Sequence, residues 1–278
     1  VSPLRFALFG HPVGHSVSAA MFRAAFGAEG LPHVYDLVDA PDDAALEREI
    51  ERLRGGELRG ANVTMPHKRA ALERADEVAP SASDTGAANV LERDPRGRVV
   101  AHNTDVEALY RRLPPCTSAL VLGVGGAALA AVRALRRRGA RSVIVTSRSL
   151  TAEAPRDSRA ARLVAAGAEL APFGAPLSPV DVVVQATSAG VRGGSPQSRE
   201  LLSLVPWSQL QDGAFAIDLV YGPAPTPFVA AAKARGLSAE DGLPMLVGQA
   251  ELAFALWLGR PSPPGVMRRA ALRALALG

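Results

Sequence analysis

The chain has 278 residues, of which 48% are hydrophobic and 21% charged, with a formal net charge of +4. That length suits two hydrophobic cores better than one, and no apolar run approaches the ~18 residues that a membrane span requires. Its pI of 9.8 arises because arginine stands almost everywhere in place of lysine, with acids scattered between, which argues against a nucleic-acid partner.

Taken in chain order, residues 4–10, 33–40 and 60–66 predict strands, each followed by an amphipathic helical stretch, over 17–28, 42–53 and 67–78. The runs AANVLERD and GRVVAHNT flank PRG and predict a hairpin, since Pro and Gly supply the turn. That hairpin is expected to put an antiparallel edge on the sheet. The tandem prolines of RRLPPCTS then suit a connection to a second series. Four more strands are expected there, ALVLG, VIVTS, VDVVVQATS and AFAIDLVY, with helices between them. Two polar loops, 148–163 and 190–201, are expected to be mobile. From PAPTPF onwards the chain returns to helix, closing with 243–259 and 265–277. Alternating strands and helices of this kind predict an α/β protein with largely parallel sheets. No solenoid-type repeat is present. The stretch VSPLRFALFGHP has no basic leader or small-residue cleavage site, so no secretory signal is expected. The single Cys116 leaves no internal disulfide and fits a cytoplasmic location.

The clearest motif is ALVLGVGGAALAAVRALRRRG. A buried strand runs into Gly123, Gly125 and Gly126, with Ala128 at the third small position, and then into a helix. Glycines allow a tight turn and close backbone approach, and the helix N-terminus favours a pyrophosphate, so a dinucleotide is expected here. After the next strand an NAD site would carry Asp or Glu for the ribose hydroxyls. The sequence instead reads Thr146, Ser147, Arg148, Ser149, which suits a 2′-phosphate and favours NADP over NAD.

A second constellation lies in the first half. Ser16 and Ser18 sit at the mouth of a helix, where hydroxyls and free amides can receive a carboxylate or can simply cap the helix. Asn62, Thr64, Lys68, Asn89 and Asp105 each fall near a predicted strand end, where open α/β sheets place ligands. Of thirty-one basic residues only Lys68 and Lys233 are lysines. An ammonium can surrender its proton under pressure from its surroundings, whereas a guanidinium stays charged. The five histidines suggest no metal site: His11 and His15 are four apart, but Pro12 and Gly14 break the helical geometry that such a pair needs. His67 is expected to be a solvated helix-start residue, with a supporting role beside Lys68 as the alternative, Arg136 to Arg138 to close a helix where their charge complements its dipole and needs no partner, and Trp257, Phe254 and Leu258 to pack in a core or between domains.

The segments GHPVGHSVS, GANVTMPHK, HNTD, GVGGAA, TSRS, ATSAG, DLVY and DGLPMLVGQA occur in the order and approximate spacing of the shikimate dehydrogenase family, which the whole chain resembles. The resemblance implies an N-terminal substrate domain over 1–105, completed by 243–278, and a Rossmann NADP-binding domain over 106–242. It implies reversible NADP-dependent reduction of 3-dehydroshikimate to shikimate on the route to chorismate and the aromatic amino acids. Carried over position by position, Lys68 and Asp105 resemble the catalytic pair. Ser16 and Ser18 resemble the carboxylate ligands, assisted by Tyr221, while Asn62, Thr64, Asn89 and Gln249 resemble those of the ring hydroxyls. Gly123, Val124, Gly125, Gly126 and Ala127 correspond to the pyrophosphate loop, and Ser147, Arg148 and Ser149 to the 2′-phosphate site. Thr187, Ser188, Leu219, Gly242 and Met245 correspond to the nicotinamide side. A small-molecule substrate, no nucleic-acid or membrane partner, no metal, and a monomer or homodimer are implied.

Several positions depart from the family pattern: Ala19 stands where Pro is common, Val106 where Gly is common, GAANV where GAVNT is usual, Gln185 in place of Asn, and Pro80 at an often acidic position. None of these removes a residue assigned to chemistry, but they leave quinate or aminoshikimate open as substrates. A non-catalytic NADP sensor is also open, though it would need neither a titratable amine nor its partner. A folate-linked dehydrogenase of similar layout is disfavoured by the paired serines.

Overall fold

In a computed structural model, residues 2–150, 158–175, 177–190 and 196–277 are described. The centres of both polar loops expected to be mobile, 151–157 and 191–195, lie outside the described residues. The chain divides into two compact units, Val1–Asp105 with Val247–Gly278, and Val106–Leu246. The sequence reading placed the return at 243, four residues earlier.

The first unit runs β1 (Arg5–Gly10), α1 (Ser18–Ala28), β2 (Val34–Asp39), α2 (Asp43–Arg54), β3 (Gly60–Val63), α3 (Lys68–Glu73), β4 (Glu77–Val78), α4 (Pro80–Ser83), β5 (Val90–Arg93) and β6 (Val99–His102). Local chemistry accounts for the elements. Asp42 caps α2 by accepting from the Ala45 amide at 2.7 Å, Arg52 and Arg54 sit in its last turn, and Ala45, Leu46, Ile50 and Leu53 form its buried stripe. The six strands lie in the order β2-β1-β3-β5-β6-β4. Strands β1, β2 and β3 are parallel, β5 is antiparallel to both β3 and β6, and β4 is parallel to β6.

Two expectations are corrected here. The helix expected over 67–78 ends at Glu73, and Glu77–Val78 is a strand. Asp76 explains the change: its amide donates to the Val99 carbonyl at 2.9 Å, and its carboxylate takes the Val99 amide at 2.8 Å and the Arg54 guanidinium. These bonds, the one from Arg54 foremost, hold its carboxyl below the usual range. In consequence the hairpin is not the sheet edge; β4 is.

The second unit runs α5 (Asp105–Tyr110), β7 (Ser118–Leu122), α6 (Gly126–Arg137), β8 (Ser142–Thr146), α7 (Ser158–Ala165), β9 (Glu169–Ala171), β10 (Val180–Gln185), α8 (Pro196–Leu204), β11 (Leu210–Asp218), α9 (Pro227–Lys233) and β12 (Ser238–Glu240). All six strands are parallel, in the order β12-β11-β10-β7-β8-β9, with buried clusters on both faces. The sequence reading did not anticipate the short edge strands β9 and β12, and β11 begins at Leu210 rather than 214. The arginines closing α6 also make local contacts: Arg137 bonds Glu107 at 2.5 Å, Arg138 lies over the Tyr110 ring, and Arg136 donates to the Ala140 carbonyl at 2.9 Å.

Helices α10 (Leu243–Leu258) and α11 (Val266–Leu277) close the chain. From Val247 they belong to the first unit. Trp257 stacks on Phe6 with centroids 4.8 Å apart and donates its indole N–H to the Leu91 carbonyl at 3.1 Å, while Phe254 is fully buried. Both are core residues. A side chain at Gly60 would strike the Trp257 ring 2.3 Å away, so glycine on β3 admits this contact. No helix among the described residues is long and apolar enough to cross a membrane.

Candidate active site

In the first unit the topology gathers the predicted residues at one sheet edge. Register pairs Asn62 of β3 with Val90 of β5, and Val90 with His102 of β6. Because β5 is antiparallel, its start lies level with the ends of β3 and β6. Asn89 therefore precedes a strand instead of ending one, yet reaches the same edge as Asn62 and Asp105.

Lys68 opens α3, and its backbone carbonyl accepts the Ala88 amide at 2.8 Å. Its Nζ donates to Asp105 Oδ2 at 2.7 Å, with side chains 30% and 13% exposed, so the pair is open enough to meet a ligand. Asp105 opens α5 with its amide capped by Asn103 Oδ1 at 2.9 Å. The Asn89 amide nitrogen faces Asp105 Oδ1 at 2.8 Å, Thr104 Oγ1 at 2.9 Å and Gln249 Oε1 at 3.0 Å, while its oxygen accepts the Thr104 amide at 2.8 Å. Since Oδ1 is held by a backbone donor, the orientation of the Asn89 amide is fixed. Asn62 donates to the Asn89 carbonyl at 3.3 Å and accepts from the Tyr35 hydroxyl at 2.8 Å.

Tyr35 and Thr104 are parts of this network that sequence reasoning missed. Tyr35 is fully buried, and burial alone raises its phenol well above its usual value, so the hydroxyl stays a donor. The signal for it was a tyrosine within the predicted strand over 33–40, since a buried hydroxyl needs a partner. Ser16 donates to Ser18 Oγ at 3.1 Å and accepts the Ser18 amide at 3.2 Å at the start of α1. Thr64 follows β3, its amide bonded to the Phe9 carbonyl at 2.9 Å and its methyl where a Gly10 side chain would fall. His67 is 2% exposed rather than solvated, and its Nε2 lies 2.7 Å from the Ala40 carbonyl, which secures the turn before Lys68.

In the second unit the predicted cofactor residues all follow strand ends. Gly123 has φ +116°, and a side chain there would meet the Ala186 carbonyl at 3.0 Å, so this turn needs glycine. At Gly125 and Gly126 a Cβ would meet nothing within 4 Å. With Val124 and Ala127 they form an open backbone cradle before α6, which fits a pyrophosphate at a helix N-terminus. Ser147 and Ser149 lie with hydroxyls 3.2 Å apart beyond β8, and Arg148 pairs with Glu200 at 2.9 Å. Thr187 and Ser188 follow β10, Leu219 and Tyr221 follow β11, and Gly242 and Met245 lead into and begin α10. Burial raises the Tyr221 phenol above its usual value.

A Rossmann unit without a ribose carboxylate, together with a second α/β unit bearing a lysine–aspartate pair, defines an NADP-dependent oxidoreductase. The NADP(+)-dependent shikimate dehydrogenase of Maricaulis maris is 36% identical over 264 residues, 91% of this chain and 90% of its own. The crystal structure of shikimate 5-dehydrogenase from Thermus thermophilus, in complex with NADP(H) and shikimate, matches with a TM-score of 0.83 at 37% identity, covering 98% of this chain and 100% of that one. This chain belongs to the shikimate dehydrogenase family. The family's substrate binding domain matches residues 8–91, and the shikimate 5′-dehydrogenase C-terminal domain matches 242–272. The fold is shared more widely: ligand-free 5-ketofructose reductase from Gluconobacter matches with a TM-score of 0.83 at 27% identity, covering 98% of this chain and 99% of that one.

Proposed function

We propose that this chain reduces 3-dehydroshikimate reversibly to shikimate with NADPH, using Lys68 and Asp105 as its acid/base pair. The observation that carries the reading is the 2.7 Å contact between Lys68 Nζ and Asp105 Oδ2 in a partly open, hydrogen-bonded network of side chains. When bound, NADPH supplies the hydride. Lys68 delivers a proton to the carbonyl oxygen as it becomes a hydroxyl, and takes it back in the reverse direction. Asp105 holds the ammonium in place, and is itself held by Asn89. Ser16 and Ser18 receive the carboxylate, Asn62, Thr64, Asn89 and Gln249 the ring hydroxyls, and Tyr221 keeps the role that the resemblance implies.

The first unit is thus the substrate domain and the second the cofactor domain, in a cytoplasmic enzyme working as a monomer or homodimer. Arg148, Ser147 and Ser149 read the 2′-phosphate, and Gly123, Val124, Gly125, Gly126 and Ala127 the pyrophosphate. Assays with shikimate, quinate and 5-ketofructose, each with the NADP and NAD couples, test the proposal. The expected result is turnover of shikimate with NADP(H) at least ~100-fold more efficient than any other combination. Preference for another substrate or for NAD(H) would overturn it.

A further inference from the structure

Asp218 ends β11 and is 1% exposed. All three of its polar partners are donors: Gln185 Nε2 at 3.1 Å and the Val220 amide at 2.9 Å reach Oδ1, and the Thr226 hydroxyl at 2.7 Å reaches Oδ2. Among the described residues no arginine, lysine or histidine hydrogen-bonds or pairs with it, and Asp241 adds a like charge. Burial, the larger cause, pushes its carboxyl up to about 7. A carboxylate in such a place works against folding, and packing alone would be served by an apolar residue.

What the carboxylate does is visible in its partners. Gln185 Oε1 accepts the Thr187 amide at 2.5 Å, so its nitrogen must face the other way, where it donates to the Ala189 carbonyl at 2.9 Å as well as to Asp218. Asp218 thereby fixes the amide that holds both ends of the 187–189 turn. Through the same Oδ1 Asp218 anchors Val220, whose carbonyl accepts the Gly242 amide at 2.9 Å. A side chain at Gly242 would lie 2.4 Å from the Leu219 carbonyl, so the turn into α10 presses on the same segment. Thr226 also caps α9 through the Val229 amide at 3.2 Å.

We propose that Asp218 is a positioning residue for hydride transfer, tying the loop after β10 to the loop after β11 and so setting the nicotinamide-side wall that carries Thr187, Ser188 and Leu219. This rests on the reading of the second unit as the cofactor domain. The wall orients the reacting ring, while the glycine turn and Arg148 supply the affinity, so loosening it affects kcat more than KM.

The test is Asp218→Leu, which roughly keeps the volume but removes the Oδ1 acceptor shared by Gln185 and Val220 together with the Oδ2 acceptor facing Thr226. The expected result is kcat lower by about 10-fold with KM for NADPH and substrate within about 2-fold, and a larger primary isotope effect with 4-deuterated NADPH. Unchanged kcat, or equal loss of kcat and of NADPH binding in a fluorescence titration, would overturn the proposal. Should Asp218→Leu fail to fold, Gln185→Met and Asp218→Asn decide: low kcat in the first, which loses the bond to Asp218, with near wild-type kcat in the second, which keeps the Oδ1 acceptor, supports the tie, and equal behaviour of the two refutes it. If the wild type binds NADPH but turns over nothing, the proposed function falls while this inference is still tested. A changed emission of bound NADPH in Asp218→Leu then supports it, and identical emission refutes it.

Discussion

The two units build their sites by opposite means. In the first, side chains hold side chains: Lys68, Asp105, Asn89 and Gln249 are distant in sequence, and each is oriented by another. In the second, the backbone carries much of the proposed site, through Gly123 and the open space at Gly125 and Gly126, beside the Arg148 side chain, with Asp218 acting from behind. A network of side chains concentrates function in single positions, so its variants should lose chemistry. A backbone cradle spreads function, so variants there should change affinity modestly.

After Lys68, the largest contrast is expected at Asp105. Asp105→Asn leaves Asn89 and Lys68 near an isosteric amide but removes the charge, and kcat should fall about 100-fold with KM little changed. In the second unit Arg148→Ala should raise KM for NADPH about 10-fold while leaving that for NADH unchanged, since only the former carries the 2′-phosphate. Its partner gives the opposite sign. Glu200→Gln frees Arg148 from an exposed ion pair, and steady-state kinetics should show KM for NADPH lower by about 2-fold. If Arg148→Ala left KM for NADPH unchanged, the contrast between the units would lose its cofactor half.

The smallest effect is on stability. Asp218 has a carboxyl raised to about 7 in the fold, against about 3.9 in an unfolded chain. The folded state therefore holds the proton more tightly, its contribution is complete below the unfolded value, and it is lost as pH rises through 7. Between pH 5 and 8 the melting temperature of Asp218→Asn should rise relative to the wild type by about 5 °C. Parallel melting curves across that range would mean that the carboxyl titrates as in water.

Much of this was legible in the sequence, for reasons specific to each part. The glycine turn was readable because strand, Gly123, Gly125, Gly126 and helix are contiguous. Lys68 stood out because arginine had replaced nearly every other lysine, and Lys233, the other, is exposed on α9. What escaped is what long separation hides. Strands β4, β9 and β12 have two or three residues each, too few to show a period. The bond from Tyr35 to Asn62 spans 27 positions and that from Asn89 to Gln249 spans 160. His67 lay beside a conspicuous lysine, but its burial depends on the Ala40 carbonyl, which only the β2 to α2 connection brings near.

The central claim is that the amine of Lys68 exchanges a proton with the substrate. Replacing it with arginine keeps the positive charge and the reach to Asp105 and removes a proton that can readily be given up. For Lys68→Arg, the kcat of NADPH-dependent 3-dehydroshikimate reduction should fall by about 1000-fold, with NADPH binding unchanged. Turnover within about 3-fold of the wild type would contradict the account.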